Sequence, residues 1–447
     1  MTKTLIKNAR LVNEGAIREV DVLIRNGRIR RVDTDIPAAD SSVFDAKGNV
    51  LLPGLIDDQV HFREPGGTHK GDIATESRAA IAGGITSFME MPNVKPPTTT
   101  RALLGEKYAL AAQKSKANFA FYLGATNDNI DEIRALQPNE TCGVKVFMGA
   151  STGNMLVDQP QALEQIFSSA PVPVVTHCED TPTISANEQR YRDRYGEDVP
   201  IEAHPHIRSV EACYKSSSFA VELAHKYNTR LHVLHLTTEL ELGLFDDSAL
   251  DQKHITAEVC VHHLFFDESD YATKGGLIKC NPAIKTKADR EALLRGVNQG
   301  LIDVIATDHA PHTLEEKQQP YFNMPSGLPL VQHALVALLE QYHRGQFGLE
   351  LIVEKTAHAP AKIFGVVDRG FVREGYWADL VLVDLNHPFT VTGANTLYKC
   401  GWSPFQGYTF NSSVLATWLN GNLAYADGQL VDGPPGKRLQ LSNHRKR

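Results

Sequence analysis

Short apolar runs, rich in β-branched residues, recur through the middle of the chain and are separated by stretches in which Ala, Leu, Glu and Lys predominate. The runs have the length of strands, and the stretches have the composition of helices. Eight runs can be counted, at positions 50–56, 86–91, 120–123, 143–148, 172–176, 231–236, 255–259 and 304–306. The helical stretches fall at 75–82, 101–116, 161–169, 210–226 and 287–298. Continuous apolar strands that alternate with helices indicate a parallel sheet covered on both faces, and eight of them predict a (β/α)8 barrel of the TIM type.

Both ends of the chain follow a different pattern, in which short strand-like segments are interrupted by turn dipeptides. Asn26-Gly27 lies between two amino-terminal segments, and Asn420-Gly421 lies between two carboxyl-terminal ones. An Asn-Gly pair between such segments is the strongest short-range signal of a β-hairpin. We therefore predict an α/β protein with a small β-sandwich domain formed from both termini, residues 1–51 and 366–447, and a barrel domain of residues 52–365.

Polar side chains stand at the ends of several apolar runs. Three are histidines, one is a lysine within the fourth run, and one is an aspartate that follows the eighth run: His61, His177, His235, Lys145 and Asp308. Chemistry in a (β/α)8 barrel lies at the carboxyl ends of the strands, so these residues are expected to converge on one mouth. Each alone has a plain structural explanation, such as a hydrogen-bonded histidine or a helix-capping aspartate. Their coincidence at five strand ends favours a metal site.

Lys145 needs a separate interpretation, because an ammonium group cannot bind a metal ion. Burial among the apolar residues of 143–148 lowers the pKa of a lysine. A neutral amine can capture CO2 to form a carbamate, whose two oxygens can bridge two cations. The alternative is that Lys145 pairs with a buried carboxylate.

The other histidines lack such a placement, and we expect them at the surface or behind the ligands, where His262 and His263 could orient a ligand through their second ring nitrogen. They are His204, His206, His225, His262 and His263.

Composition excludes several classes of protein. The 447 residues carry a formal net charge of −8, and Lys and Arg cluster only at 444–447, which does not indicate a nucleic-acid partner. The chain has no apolar stretch long enough for a membrane span, and its start lacks the apolar core of a signal peptide. The six cysteines form no CxxC pair. This usage favours reduced thiols in a cytoplasmic protein.

Six motifs in order along the chain resemble those of the dihydroorotases, a family of the amidohydrolase superfamily. They are PGLIDDQVHFREPG (53–66), MPN (91–93), GVKVFMG (143–149), THCED (176–180), HVLHLTT (232–238) and TDHAPHT (307–313). The segment EGYWADLVLVD (374–384) also looks like the strands with which that superfamily returns to its sandwich domain.

The resemblance implies roles for individual residues. Lys145 would be a carboxylated ligand that bridges two zinc ions, with His177 and His235 on one ion and His61 and Asp308 on the other. The substrate carboxylate would be held by Arg63, Asn93 and His312, and Asn281 would be a further substrate contact.

The same resemblance implies the reaction, which is the reversible zinc-dependent cyclisation of N-carbamoyl-L-aspartate to dihydroorotate in pyrimidine biosynthesis. In the ring-opening direction a metal-bound hydroxide would attack the ring amide, with Asp308 as the proton shuttle. A flexible loop over the site is expected, and 149–154 is the candidate. A homo-oligomer is expected as well.

One position departs from the family. Its usual opening is His-x-His, whereas this chain has Gln59-Val60-His61. Because an amide oxygen is a poor zinc ligand, the ion at His61 should be weak, absent or completed by water. Two alternatives therefore stay open besides the active dihydroorotase: an allantoinase- or hydantoinase-type cyclic amidohydrolase, and a non-catalytic subunit that associates with aspartate transcarbamoylase.

Overall fold

The amino-terminal part of the chain consists of strands in the computed structural model, which describes residues 3–149 and 155–442. Asn26 and Gly27 both have positive φ, at 53° and 81°, and they form the predicted hairpin turn between the second and third strands. The first five strands are β1 (Lys3–Asn13), β2 (Ala16–Arg25), β3 (Arg28–Asp33), β4 (Ser42–Asp45) and β5 (Val50–Pro53).

The middle of the chain supplies the strands that carry the site. Almost all of their residues are buried, as expected for strands covered on both faces. They are β6 (Leu55–Val60), β7 (Ile85–Glu90), β8 (Asn118–Phe121), β9 (Leu123–Gly124), β10 (Val144–Phe147), β11 (Val174–His177), β12 (Leu231–Val233), β13 (Ile255–Cys260) and β14 (Val304–Ala306).

These strands form two parallel ladders, β6-β7-β8 and β9 through β14. The ladders meet where β8 continues into β9, and the Tyr122 amide donates there to the Glu90 carbonyl at 3.1 Å. At the other junction Val60 and His309 form a parallel bridge, and the His61 amide donates to the His309 carbonyl at 2.7 Å. The carboxyl end of β6 is thus hydrogen-bonded to the segment that follows β14.

Helices fill the connections between these strands. All five helical stretches predicted from composition are helices, now α1, α2, α4, α7 and α11, and each of the predicted bounds lies within two residues of the observed one. The helices are α1 (Ile73–Ala82), α2 (Arg101–Lys114), α3 (Ile130–Arg134), α4 (Pro160–Ser169), α5 (Thr181–Tyr195), α6 (His204–Ile207), α7 (Val210–Tyr227), α8 (Glu239–Leu242), α9 (Val261–Phe265), α10 (Tyr271–Lys274), α11 (Lys287–Gln299), α12 (Leu314–Lys317), α13 (Ala334–His343), α14 (Leu349–Val353) and α15 (Ala359–Ile363).

Local capping explains where several of these helices begin. Asp72 accepts a hydrogen bond from the backbone amide of Thr75, and Thr286 accepts one from that of Asp289, each within a capping box. α14 and α15 are joined by the π-helical turn Glu354–His358.

The carboxyl-terminal strands return to the amino-terminal ones in a single nine-stranded sheet of order β20-β19-β18-β15-β5-β1-β2-β3, with β4 on β1. Both termini therefore build one sheet, as the turn dipeptides predict. The remaining strands are β15 (Leu380–Asp384), β16 (Phe389–Thr390), β17 (Thr409–Phe410), β18 (Ser413–Leu419), β19 (Asn422–Ala426) and β20 (Gln429–Leu430).

The first apolar run, 50–56, is not one strand. Its first part is β5, which pairs with β1 and β15, and its second part opens β6, which pairs with β7. Gly54 separates the two, and a Cβ at this position would lie 2.3 Å from the Thr86 side chain. The chain crosses there from one sheet to the other. Because the residues on both sides of the crossing are apolar, the pattern of apolar residues predicted one run where there are two strands.

Other expectations concern particular segments. In the described ranges no helix is both long enough and apolar enough to cross a membrane. All six cysteines are free thiols, and five of them are buried. Of the candidate loop 149–154, residues 150–154 lie outside the described residues.

Candidate active site

All nine residues predicted for metal or substrate binding line one cavity of about 450 Å³ beyond the carboxyl ends of the strands. They are His61, Arg63, Asn93, Lys145, His177, His235, Asn281, Asp308 and His312. Residues separated by up to 251 positions in the chain are thus brought to one place, His61 and His312 being the outermost pair.

Three of these residues have left-handed backbone conformations that non-glycine residues rarely adopt. The φ angles are 70° at Arg63, 41° at His235 and 48° at Asp308. Such conformations cost about 1–3 kcal/mol each and persist only where the surroundings impose them. The His235 amide donates to Glu258 Oε1 at 3.1 Å, which helps to hold the turn that follows β12.

One side of the cavity carries two imidazoles. His177 Nδ1 and His235 Nε2 lie 2.9 Å apart, and His177 Nε2 lies 2.9 Å from Glu179 Oε2. A proton on His177 Nε2 is donated to Glu179, which leaves the Nδ1 lone pair facing His235 Nε2. Although burial opposes it, the Arg208 guanidinium and the His177 hydrogen bond hold the pKa of Glu179 well below its usual range. Glu179 is therefore a permanent anion that fixes the ring.

Lys145 lies on β10, which pairs with the strand β11 that carries His177, and is fully buried, with 0% of its surface exposed. Burial lowers the pKa of its ammonium group to about 8, against the attraction of Asp308. Its Nζ has no hydrogen-bond partner within the two described ranges and lies 4.7 Å from the centre of the Phe147 ring. An amine with this pKa is partly neutral at pH 7, which is the form that reacts with CO2.

The opposite side is built around Asp308. One carboxylate oxygen, Oδ1, lies 3.0 Å from His61 Nε2 and accepts a hydrogen bond of 3.2 Å from Gln59 Nε2. His61 Nδ1 lies 2.8 Å from Asn93 Oδ1. Burial raises the pKa of Asp308, but the hydrogen bond and charge of His61 outweigh it and the net shift is downward. Asp308 is therefore ionised at neutral pH.

The outer end of the cavity is cationic. The Nε of Arg63 donates to the Pro311 carbonyl at 3.1 Å, and one terminal nitrogen lies 3.0 Å from His312 Nε2. Lys70 Nζ lies 2.9 Å from His312 Nδ1. Burial, with the charges of Arg63 and Lys70, holds the pKa of His312 well below its usual range. A neutral His312 beside a planar guanidinium suits an incoming carboxylate.

Asn281 contributes a buried polar atom to the same cavity. Its Oδ1 has no hydrogen-bond partner in residues 3–149 and 155–442. A buried acceptor without a partner is costly unless a ligand or water satisfies it.

Several cavity residues were not identified from sequence. His204 is buried, and its two ring nitrogens lie 2.8 Å from the Tyr321 hydroxyl and from the Cys280 carbonyl. Arg208 and Lys279 line the same wall. The sequence offered a usable signal only for Arg208, and an indirect one. Its partner Glu179 belongs to the charged pair that follows His177 in the THCED motif, and Glu179 contacts both His177 and Arg208.

The five histidines for which the sequence predicted no ligand role fall into two groups, exposed and buried. His206 and His225 are exposed, as expected for surface residues. The other three, His204, His262 and His263, are buried and so cannot be surface residues.

Groups of three potential metal donors lie within 4.8 Å of one another at two places in the described residues, Cys260/His262/His263 and Asp58/His232/Glu258. None of these six residues is among those that line the cavity. Among the predicted ligands, His61 is in contact with Asp308, and His177 is in contact with His235. Lys145 Nζ has no hydrogen-bond partner among the described residues.

Comparison with known proteins defines the class. The model of the amidohydrolase family matches residues 50–424. The chain therefore belongs to the amidohydrolase family, as its motifs indicated.

Comparison with individual proteins identifies a narrower group within this family. The chain is 33% identical to the dihydroorotase of Pyrococcus furiosus over 425 residues, which cover 95% of this chain and 93% of that protein. It is 34% identical to the dihydroorotase of Halobacterium salinarum over 431 residues, covering 94% and 99%. The resemblance to dihydroorotases read from six motifs is confirmed.

Solved structures of other family members share the fold. The L-hydantoinase (dihydropyrimidinase) from Arthrobacter aurescens superposes with a TM-score of 0.93 at 26% identity, covering 98% of this chain and all of that one. The dihydropyrimidinase from Brevibacillus agri gives a TM-score of 0.91 at 22% identity, covering 100% of both chains. The mixed α/β class predicted from the sequence is confirmed.

Proposed function

We propose that the protein is a dihydroorotase, which interconverts N-carbamoyl-L-aspartate and dihydroorotate. The observation that carries the proposal is one cavity in which a set of metal-binding side chains faces a cationic end built from Arg63 and His312. A cyclic amide that bears a carboxylate fits both ends at once. Relatives that carry the dihydroorotase name over nearly the whole chain support the same substrate.

The donor set fits zinc. Imidazole nitrogens and carboxylate oxygens are ligands that zinc accepts, and Lys145 becomes an anionic oxygen ligand once its amine has added CO2 and lost a proton. The side chains that offer donor atoms for zinc are His61, Lys145, His177, His235 and Asp308. When bound, zinc would act as a Lewis acid on the ring carbonyl and activate water at neutral pH.

The chain's own residues supply binding and proton transfer. Arg63, Asn93 and His312 would hold the substrate carboxylate, with Asn281 as a further contact. Asp308 is ionised and would accept the proton of the attacking water, then pass it to the ring nitrogen as the amide bond breaks. In the cyclisation direction the same group would take the proton from the ureido nitrogen as the amide bond forms and give it to the oxygen that leaves as water.

The architecture proposed with this function is a closed (β/α)8 barrel of residues 52–365 and a β-sandwich of residues 1–51 and 366–447. The bridge from Val60 to His309 supports closure of the barrel. Pairing of β5 with β15 extends the first segment of the sandwich to Pro53. A cytoplasmic homo-oligomer and association with aspartate transcarbamoylase stay predictions.

A hydantoinase is the second candidate, because the solved structures that superpose on this chain carry that name. A neutral hydantoin needs no cationic clamp, whereas this cavity holds a half-buried Arg63 that is hydrogen-bonded in place. A non-catalytic subunit would not need an ionised Asp308 beside an unpartnered Lys145. Hydrolysis of dihydroorotate by the zinc- and bicarbonate-reconstituted protein, followed by loss of ultraviolet absorbance, tests all three.

Replacing Arg63 should separate the carboxylate-bearing substrate from the neutral one. We expect Arg63→Met to lower kcat/KM for dihydroorotate by about 10²-fold or more, because loss of one partner of a buried charged pair costs about 2–5 kcal/mol. Hydrolysis of dihydrouracil, the same ring without the carboxylate, should change by a much smaller factor. Equal losses on both rings, measured in parallel, would contradict the clamp. Lys47→Met, at an exposed position, is the control for loss of a cation.

Glu179 should act through His177. We expect Glu179→Gln to lower zinc affinity roughly 10- to 100-fold, because partners that orient a ligating histidine typically contribute that much. Competition with a chelator measures the affinity directly. Unchanged affinity in the folded variant would show that the contact does not orient the ring.

A further inference from the structure

The two sides of the cavity differ in how their donor atoms are used. On one side, Lys145 Nζ and His235 Nδ1 have no hydrogen-bond partner in the described parts of the chain. On the other side, each ring nitrogen of His61 has a partner, Asp308 Oδ1 at 3.0 Å and Asn93 Oδ1 at 2.8 Å. On the first side the Lys145 amine is thus unengaged among the described residues, and His177 Nδ1 and His235 Nε2 lie 2.9 Å from each other, close enough for one ion to bind both. On the second side both nitrogens of His61 are engaged, and Asp308 is shared with Gln59.

Gln59 lies beside Asp308 on the second side of the cavity. It is 1% exposed, and its Nε2 donates to Asp308 Oδ1 at 3.2 Å. Its Oε1 lies 3.8 Å from the Sγ of Cys260, which is the donor in that contact. Asp308 fixes the orientation of the amide, because turning it over would set the amide oxygen against the ionised carboxylate.

This arrangement uses both ends of the Gln59 amide. The nitrogen of an amide has no free lone pair for a metal ion, and its oxygen faces Cys260. An imidazole at the same position would offer a ring nitrogen beside Asp308, which is the kind of donor zinc prefers. Glutamine instead offers Asp308 an N–H group, so that the carboxylate is held by a hydrogen bond.

We propose that Gln59 is a positioning residue that stands in place of a metal ligand: it holds Asp308 in the cavity, and the protein binds one metal ion, on the side of Lys145, His177 and His235. The inference rests on the proposed function for the role of Asp308. The orientation of Asp308 then depends on Gln59 and His61, and Gln59 acts through Asp308.

Metal content tests the stoichiometry without reference to activity. The unaltered protein and Gln59→His are reconstituted with zinc and bicarbonate, freed of loose metal, shown to be folded by circular dichroism, and analysed by inductively coupled plasma mass spectrometry. We expect about one equivalent in the unaltered protein and about two in Gln59→His. Two equivalents in the unaltered protein overturn the inference, and so does a Gln59→His variant that gains none.

A second variant tests the positioning of Asp308. Gln59→Met keeps the side-chain volume but removes the N–H donor, so we expect kcat for dihydroorotate to fall roughly tenfold or more, as for loss of a hydrogen bond to a charged group, with KM and metal content unchanged. Gln341→Met, which removes a buried glutamine bonded to the Leu264 carbonyl, is the matched control and should leave kcat unchanged. A change in KM with kcat intact, or loss of the ion from Gln59→Met, contradicts the positioning role of Gln59.

The same experiments separate this inference from the proposed function. One equivalent of zinc without turnover of dihydroorotate supports the single-ion site and contradicts the substrate. Turnover with two equivalents supports the substrate and contradicts the role of Gln59.

Discussion

Asp308→Asn should lower kcat for dihydroorotate roughly 10²- to 10⁴-fold, the range that general acid–base groups contribute. Asparagine keeps the size of the side chain and can still pair with Gln59, but it cannot accept a proton from water. The carboxylate is ionised in the unaltered protein because His61 holds its pKa below the usual value. Steady-state kinetics should show KM changed much less than kcat, because the group acts on the proton and not on the substrate carboxylate.

The matched control lies at the other end of the same strand. Asp303 precedes β14 and pairs with Lys253 at 2.8 Å, far from the cavity lining. Asp303→Asn should lower the melting temperature and leave kcat intact. If Asp308→Asn retained its turnover while Asp303→Asn lost its own, the proton would have to travel by another route.

The order of the elements could be predicted because it follows from local composition. Apolar runs and stretches rich in Ala, Leu, Glu and Lys are each specified within about ten residues, and all five predicted helices were found. The crossing at Gly54 could not be predicted, because β5 and β6 are equally apolar and only their partners, β15 and β7, assign them to different sheets.

The site could be predicted for a related reason. Residues at strand ends share one mouth whatever their distance along the chain, so His61 and Asp308 could be placed together without knowledge of their contact. The contact of Gln59 with Asp308 and Cys260 could not be read in the same way, since it depends on side-chain orientation across 249 and 201 positions. His204 was missed because nothing in its local sequence marks the cavity wall that α6 reaches.

Lys145→Met should abolish both tight zinc binding and turnover. Methionine is similar in length and apolar, so it fills the buried space at β10 without offering any anion to the ion. The proposed ligand forms only from the neutral amine, and the pKa of Lys145 is lowered by burial to about 8. Recovery of activity on adding bicarbonate and zinc to stripped protein should therefore become faster as the pH rises toward about 8 and level off above it. The measurements are metal content and the rate of reactivation.

Lys355→Met is the matched control, because Lys355 is also buried and its pKa is also lowered by burial. Its Nζ, however, donates to the Ile302 carbonyl at 2.6 Å, so the amine is engaged and lies outside the cavity. The control should lose stability, by about 1.5–3 kcal/mol for a hydrogen bond to a charged group, and keep its zinc. If instead Lys145→Met retained zinc at the level of Lys355→Met, the ion would be held by His177 and His235 alone. Lys145 would then be a buried lysine whose low pKa serves no ligand.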